Sequence, residues 1–108
     1  MLKQGDIIWV DFSPTKGHEQ AGRRPALIVS ADVFNQETGG IVWAVPITSK
    51  INGYGKLTVP EELPISGVFI LSQIRALDTN ARNFEVICSV PDDIMDDIIG
   101  RLCAVLMG

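Results

Sequence analysis

Short apolar runs separated by turn-forming residues dominate the first ninety positions of the chain. Their β-branched and aromatic side chains fit the pleated surface of a sheet, and their lengths are those of strands. Glycine, proline, asparagine or serine stands between the runs, where turns need special backbone angles. Pro46 interrupts one of them and restricts that position to a sheet edge or a bulge. We predict strands at residues 5–12, 26–30, 41–48, 56–59, 68–74 and 84–90.

Helical spacing of apolar residues appears after Pro91, which suits a helix start because its missing N–H is not needed there. Four aspartates in the first turns are favoured by the helix dipole, so we interpret Asp93 and Asp97 as structural. The predicted buried stripe is Ile94, Ile98, Leu102, Val105 and Leu106. A helix of one or two turns is also expected at residues 31–36, with Ser30 and Asp32 as candidate caps. Many short strands followed by a terminal helix predict a small antiparallel barrel.

The length of 108 residues fits one domain with one core, spanning residues 1–108. No apolar run reaches the roughly 18 residues of a membrane span, and the N-terminus lacks the apolar segment of a signal peptide. We therefore expect a cytoplasmic protein without membrane association. Cys88 and Cys103 are expected to be buried reduced thiols rather than a disulfide or a metal pair.

The net charge of −4 argues against a nonspecific nucleic-acid binder, whose affinity would rest on a basic surface. The negative charge is uneven, because residues 92–108 contain four aspartates and one arginine. The acidity is thus concentrated in the predicted terminal helix. A local basic groove elsewhere in the molecule remains compatible with this composition.

The segment from Lys16 to Pro25 concentrates polar groups and includes the only histidine of the chain. Gly17 and Gly22 permit unusual backbone angles, and Pro25 marks the start of the next strand, so we interpret the segment as a loop. Loops held by a rigid scaffold often carry function, although a solvated surface turn is the structural alternative. The candidate groups in this loop are Lys16, His18, Glu19, Gln20, Arg23 and Arg24.

Cleavage of RNA without a metal ion is one reaction that this loop has the groups to perform. It needs a base near the 2′-hydroxyl, a cation at the phosphate and a proton source for the leaving oxygen, roles that suit Glu19, Arg24 and His18. The guanidinium fork of Arg24 matches two phosphate oxygens. Arg23 would face the other way in an extended strand. Thr48 offers a hydroxyl at the end of the third predicted strand, where capping a turn is the structural alternative.

Three motifs resemble successive signatures of the MazF/PemK/Kid family of toxin ribonucleases. They are residues 5–14 (GDIIWVDFSP), residues 17–26 (GHEQAGRRPA) and residues 46–48 (PIT). A strand from Gly67 leading to Gln73 and Arg75, with Asp78 and Arg82 after it, fits the family as well. The resemblance therefore covers nearly the whole chain, including the closing helix.

The resemblance implies a mainly β fold with a C-terminal helix, a small SH3-like antiparallel barrel found as a homodimer. The implied activity is sequence-specific cleavage of single-stranded RNA, chiefly mRNA, leaving a cyclic phosphate and a 5′-hydroxyl. No cluster with metal-ligand spacing is visible in the sequence, so we expect no metal ion and no cofactor. The implied partner is a cognate antitoxin protein with an acidic disordered tail.

The resemblance assigns the family's arginine and threonine to Arg24 and Thr48, its acidic loop position to Glu19, and the histidine of the Kid/PemK branch to His18. Many relatives have a carboxylate where this chain has Ser72, so the base here is either Glu19 or a different group. Tyr54 is our candidate for stacking on a base, because it is an aromatic residue in a glycine-bearing loop. The candidate RNA-binding residues are Lys16, Gln20, Arg23, Ser49, Tyr54, Ser72, Gln73 and Arg75.

Two other functions stay open at this point. The CcdB-like toxins share the fold but act on DNA gyrase through protein contacts, with a C-terminal aromatic residue that this chain lacks. An RNA-binding family member without activity is the third possibility. The presence of Arg24 and Thr48 favours the nuclease.

Overall fold

Six strands form one antiparallel sheet in the computed structural model, which describes residues 2–12, 22–50 and 57–108. The strands are β1 (Asp6–Asp11), β2 (Arg23–Ile28), β3 (Ile41–Thr48), β4 (Val68–Phe69), β5 (Arg75–Asp78) and β6 (Phe84–Ser89). Helix α1 (Asp32–Glu37) follows β2, helix α2 (Asp92–Met107) ends the chain, and a 3₁₀ turn (Leu71–Gln73) separates β4 from β5. The prediction of a mainly β protein with a C-terminal helix is confirmed.

The strands are arranged in the order β4-β3-β2-β1-β6, and β5 also pairs with β3. All of these pairings are antiparallel. Within the described ranges β6 pairs with β1 alone, so the hydrogen-bonded ladder does not close into a complete ring. The architecture is therefore barrel-like rather than a fully bonded barrel.

Each face of the sheet carries its own buried core, and alternate residues of a strand contribute to opposite faces. One face, the α2 face, packs against Met95 and Ile98 of α2 and contains the strand residues Ile7, Leu27, Val45 and Ile47. The second face carries the core of Ile8, Val10, Phe12, Ala26, Ile28, Val42, Ala44 and Leu77, together with Leu2. Every second residue of a strand therefore belongs to the same face, and this holds up to the end of the strand.

The second strand begins earlier than predicted, at Arg23 instead of Ala26. The ladder with β1 continues through the pairs Trp9–Pro25 and Asp11–Arg23. Pro25 fits within the strand because it lies just outside the pairs that join β2 to β3, which begin at Ala26. The loop interpretation was therefore wrong for both arginines, which belong to a strand.

Pro46 does not lie at an edge, because β3 pairs with β2 on one side and with β4 and β5 on the other. Its carbonyl accepts a hydrogen bond from the backbone N–H of Ile70 at 2.9 Å. The N–H and C=O of a strand residue point to the same side, so the absent N–H faces the gap between β4 and β5. The ladder with β2 therefore loses no bond at Pro46.

The predicted strand at residues 68–74 is divided into β4, the 3₁₀ turn and the start of β5. Ala44 pairs with Arg75 and Ile47 pairs with Phe69, so three steps along β3 correspond to six steps along the facing segment. The three residues of the turn take up this difference opposite Pro46. The predicted strand at residues 56–59 is replaced, in its described part, by a single bridge between Thr58 and Val68.

Neither candidate cap of the first helix acts as a cap, because Ala31 occupies that position without a side-chain bond. The Ser30 hydroxyl donates to the Asn35 side chain and accepts from the N–H of Trp43 at 2.9 Å. Asp32 accepts from the N–H of Gln4 at 2.7 Å. Both side chains join neighbouring segments instead.

Helix α2 follows Pro91 as predicted, and Ile98 of its apolar stripe is fully buried. The end of the stripe was predicted incorrectly, because Val105 and Leu106 are 79% and 81% exposed. Asp97 pairs with Arg101 at 3.0 Å, in agreement with a structural role. No helix within the described ranges is long and apolar enough to cross a membrane.

The two cysteines are free thiols, as predicted, but their burial differs from the expectation. Cys88 is half-buried. Its burial, and to a smaller extent the nearby charge of Asp6, raise the pKa of its thiol. Cys103 is exposed, as are all the residues that follow it at the end of α2. Cys88 therefore remains protonated at neutral pH.

Candidate functional site

A cleft of about 410 Å³, here named the arginine cleft, opens where β2 begins and β3 ends. It combines two guanidinium groups with an indole ring and the hydroxyls of two serines. Such a combination suits an anionic ligand that also carries flat apolar groups. Its lining residues are Trp9, Arg23, Arg24, Pro25, Ile47, Ser49, Pro64, Ile65 and Ser66.

The two arginines of the cleft lie on opposite faces of β2. Arg23 is paired with Asp11, and Arg24 is paired with Val10 of the second-face core. Arg24 continues the row of Ala26 and is half-buried, whereas Arg23 is exposed. The backbone ladder thus fixes the side of the sheet from which each cation reaches the cleft.

Thr48 ends β3 on the same face as Arg24. Ala26 pairs with Pro46, and Arg24 and Thr48 each lie two residues beyond that pair in their strands. Thr48 is only 1% exposed, and its hydroxyl accepts a hydrogen bond from the N–H of Lys50 at 3.1 Å. The turn-capping contact is therefore present, and it holds the hydroxyl at the end of the strand.

Gly67 packs directly against the backbone of Thr48. A Cβ atom at this position would collide with the Thr48 carbonyl, and its φ of +140° is one that other residues rarely adopt. The residues before it, Pro64 to Ser66, form one wall of the arginine cleft. A glycine is thus required to bring this wall against β3.

Arg75, a predicted RNA-binding residue, lies against the end of β1. Its guanidinium carbon is 5.5 Å from the centroid of the Phe12 ring. Its Nη1 donates to the Phe12 carbonyl at 3.5 Å, the long limit of a hydrogen bond. Arg75 is half-buried and on the second face, since it pairs with Ala44.

Ser72 lies in a different depression from the two arginines. This apolar α2 groove of about 390 Å³ is lined by Trp43, Leu71, Ser72, Ile74, Leu102, Val105 and Leu106. Gln73 is half-buried in the 3₁₀ turn beside it. Of the predicted site residues, the structure therefore brings Arg23, Arg24 and Ser49 into the arginine cleft, with Thr48 adjoining it.

Five predicted site residues lie outside the described residues: Lys16, His18, Glu19, Gln20 and Tyr54. Across residues 2–12, 22–50 and 57–108, no group of three or more histidine, cysteine or acidic side chains is placed to hold a metal ion.

Trp9 is a cleft residue that the sequence motifs did not single out. It is half-buried and lies opposite Pro25 in the ladder. Its row on β1 runs from Ile7 through Trp9 to Asp11, whose side chain is exposed. The aspartate at the end of that alternating row was the signal that the row leaves the core before the strand ends.

A family model described as the PemK-like, MazF-like toxin of type II toxin–antitoxin systems matches residues 3–106. The chain belongs to this family. This toxin is 38% identical to the endoribonuclease toxin ChpB of Escherichia coli K12 over 111 residues, which cover 97% of the chain and 94% of ChpB. The resemblance inferred from the sequence motifs is confirmed.

Solved structures show the same fold. The crystal structure of MazF from Deinococcus radiodurans matches the toxin with a TM-score of 0.86 and 38% identity, covering 97% of this chain and 96% of that one. A crystal structure of MazE–MazF from the same organism matches with a TM-score of 0.82 and 38% identity, covering 99% and 97%. The second structure contains a MazF together with MazE.

Gly67→Ala is expected to destabilise the toxin by about 1–3 kcal/mol, since alanine brings both a strained φ and a collision with Thr48. The free energy of unfolding in urea measures this effect. Gly100→Ala is the matched control, because it lies within α2 with nothing within 4 Å of its added Cβ. We expect that control to be neutral or slightly stabilising. Equal stability of the two variants would show that Gly67 is not needed for the cleft wall.

Proposed function

We propose that this toxin cleaves single-stranded RNA, chiefly mRNA, at specific sequences in the cytoplasm and thereby stops translation and growth. It is a MazF/PemK-like endoribonuclease toxin of a toxin–antitoxin system, by its family and by relatives such as ChpB. The observation that carries the proposal is the placement of Arg24 and Thr48 on one face of the sheet beside the arginine cleft. A metal-free cleavage through the 2′-hydroxyl of the RNA uses these groups.

In this reaction the 2′-oxygen bonds to phosphorus while the bond from phosphorus to the 5′-oxygen breaks. One group removes the 2′-hydroxyl proton and another protonates the leaving 5′-oxygen, giving a cyclic phosphate and a 5′-hydroxyl. The fixed charge of Arg24 stabilises the negative charge that builds up on the phosphate oxygens. Because an arginine side chain hardly deprotonates near neutral pH, we assign the proton donation to His18 and the base role to Glu19.

Thr48 contributes a hydrogen-bond donor at the same end of the sheet. A hydroxyl that accepts one hydrogen bond still has its own hydrogen to donate. The bond from the Lys50 N–H occupies one lone pair of the Thr48 oxygen and restricts the rotation of the group. We propose that the hydroxyl hydrogen is donated to a phosphate oxygen of RNA bound beside Arg24.

RNA recognition in an acidic protein requires a local site instead of a long basic surface. Arg23 is exposed in the arginine cleft and suits a phosphate, while the indole of Trp9 offers a flat surface on which a base stacks. Base stacking on an aromatic side chain is worth about 1–3 kcal/mol. Ser49 adds a hydroxyl for contacts with a base edge, and Tyr54 remains our second candidate for stacking.

The toxin is proposed to act as a homodimer that buries the α2 groove. Trp43 is 45% exposed at this groove, and Val105, Leu106 and Met107 at the end of α2 are 79–85% exposed. A patch of this kind is unusual on a monomer and typical of an interface. The groove and the exposed helix end form a surface that a second copy related by a two-fold axis would cover on both sides.

The cognate antitoxin is proposed to inhibit the toxin by placing an acidic tail in the arginine cleft. The MazE–MazF structure supports an antitoxin partner of the MazE kind. Arg23 and Arg24 attract an acidic chain, whereas the four aspartates of α2 repel it. A tail bound in the cleft competes with RNA, and its ordering on binding lowers its affinity for the toxin.

Arg24→Ala should lower the rate of RNA cleavage by about 10² or more, because one preorganised cation at the reacting phosphate is lost. Arg24→Lys should recover part of the rate, since it keeps the charge and loses the fork. The measurement is cleavage of a mixed RNA in EDTA, with 5′-end sequencing of the products and Arg101→Ala as a control on α2. Turnover by folded Arg24→Ala at the rate of the unmodified toxin would remove Arg24 from the mechanism. Activity lost in EDTA and restored by Mg²⁺ would refute the metal-free reaction.

Arg23→Glu should weaken antitoxin binding through a slower association rate and a smaller salt dependence. Lys3→Glu makes the same charge change before β1, at the end of that strand distant from Arg23, and should leave both quantities nearly unchanged. Stopped-flow association at several salt concentrations measures the effect. Simultaneous binding of antitoxin and a non-cleavable RNA would contradict occupation of the cleft by the tail.

Leu106→Asp should convert the dimer to monomers, because it puts a charge into the apolar patch of the α2 groove. Val33→Asp places the same group on α1, where the valine is 65% exposed, and should leave the dimer intact. Sedimentation velocity at micromolar concentration distinguishes the two states. A Leu106→Asp protein that remains dimeric would exclude this patch from the interface.

A further inference from the structure

Two guanidinium groups from later in the chain hold the C-terminal end of β1. Arg82 Nη1 donates to the Asp11 carbonyl at 2.6 Å. Arg75 Nη1 donates to the next carbonyl, that of Phe12, at 3.5 Å, and its guanidinium lies 5.5 Å from the Phe12 ring centroid. The Phe12 ring is fully buried in the second-face core, so the strand end is fixed through its backbone and its side chain together.

The ladder between β1 and β6 stops just before this point. Its last pair is Val10 with Phe84, and Arg82 lies two residues before Phe84 in the chain. The side chain of Arg82 therefore supplies a donor to Asp11 where a neighbouring strand would otherwise have supplied a backbone N–H. A donor that carries a charge makes a stronger hydrogen bond than an amide does.

The end of β1 is connected directly to the arginine cleft. The Phe12 N–H donates to the Gly22 carbonyl at 2.9 Å, and Asp11 is paired with Arg23. Val10 is paired with Arg24 in the same ladder. A shift of the Asp11–Phe12 backbone would therefore move the backbone from which both cleft cations extend.

We propose that Arg75 and Arg82 are positioning residues for the RNA cleft. They hold the end of β1, and through its ladder with β2 they fix Arg23 and Arg24, without binding RNA themselves. This inference rests on the proposed function. It differs from the direct RNA contact that the sequence analysis predicted for Arg75, and salt dependence separates the two roles. An arginine that binds a phosphate contributes about one unit to the salt slope of RNA binding, whereas a positioning residue contributes none.

The primary test uses Arg82→Met, which keeps an unbranched side chain and removes the donors. Amide hydrogen exchange at Phe12, followed by NMR, measures the bond to Gly22 independently of any activity. We expect exchange at Phe12 to be roughly tenfold faster in Arg82→Met, with the slowest core amides unchanged. Arg82→Lys should restore part of the protection, because an ammonium still donates to the Asp11 carbonyl. Arg101→Met, on the exposed side of α2, is the matched control and should leave exchange at Phe12 unchanged.

The kinetic test uses an RNA that the toxin cleaves and the same RNA with a 2′-deoxy group at the cleaved position. For Arg82→Met we expect kcat to fall roughly tenfold, with KM and the salt slope of deoxy-RNA binding unchanged. Arg75→Gln should show the same pattern. A salt slope reduced by about one with kcat unchanged would overturn the proposal and make these residues RNA ligands.

Failure of this inference is distinguishable from failure of the proposed function. If the unmodified toxin does not cleave RNA, the function is wrong, and exchange at Phe12 still tests whether Arg82 holds the strand end. If the toxin cleaves RNA and exchange at Phe12 is the same in Arg82→Met, Arg82→Lys and the unmodified protein, the positioning role is wrong.

Discussion

The antiparallel ladder between β1 and β2 is the interaction on which both the fold and the site depend. It runs from the pair Ile7–Leu27 in the middle of the core to the pair Asp11–Arg23 at the edge of the cleft. Along this ladder, successive side chains of each strand point alternately to the α2 face and to the second face. The same alternation that separates two apolar cores therefore places one arginine on each side of the sheet end.

Proline and glycine determine how the rest of the chain fits around this ladder. Pro46 leaves a gap on one side of β3, and the facing segment crosses the gap in a 3₁₀ turn. Gly67 allows the segment before β4 to touch the backbone of Thr48. The turn directs Ser72 to the α2 groove, and the glycine brings Ser66 to the arginine cleft. Pro46, which lacks an N–H, and Gly67, which tolerates a positive φ, thus keep the α2 groove and the arginine cleft apart.

Strands β1, β3 and β6 were predictable from the sequence, because each is an apolar run bounded by turn-forming residues. The start of β2 was not predictable, since a proline such as Pro25 usually marks the boundary of a strand. It fits inside β2 because the pairing with β3 begins only at the next residue, Ala26. The division of residues 68–74 depended on Pro46 in a facing strand, which no local pattern contains. The chemistry of Arg24 and Thr48 was visible in the sequence. The contacts of Trp9 and Arg75 could not be predicted from the sequence. Burial at the end of a strand depends on how far each neighbouring strand extends, which a local pattern does not reveal.

Backbone control of the cleft bears on how a small acidic protein can stabilise a reacting phosphate. Electrostatic stabilisation is effective when the charge is already in position and the protein need not reorganise as the transition state forms. Here the ladder between β1 and β2 positions the backbone that carries Arg24. The hydroxyl oxygen of Thr48 is positioned by its hydrogen bond from the Lys50 N–H, in the turn that follows β3. Among the described residues, the ladder of β1 with β6 ends at Val10, and the Arg82 guanidinium donates to the Asp11 carbonyl just beyond it. At the end of the sheet where the proposed reaction takes place, a side-chain donor therefore stands where a strand would supply a backbone N–H.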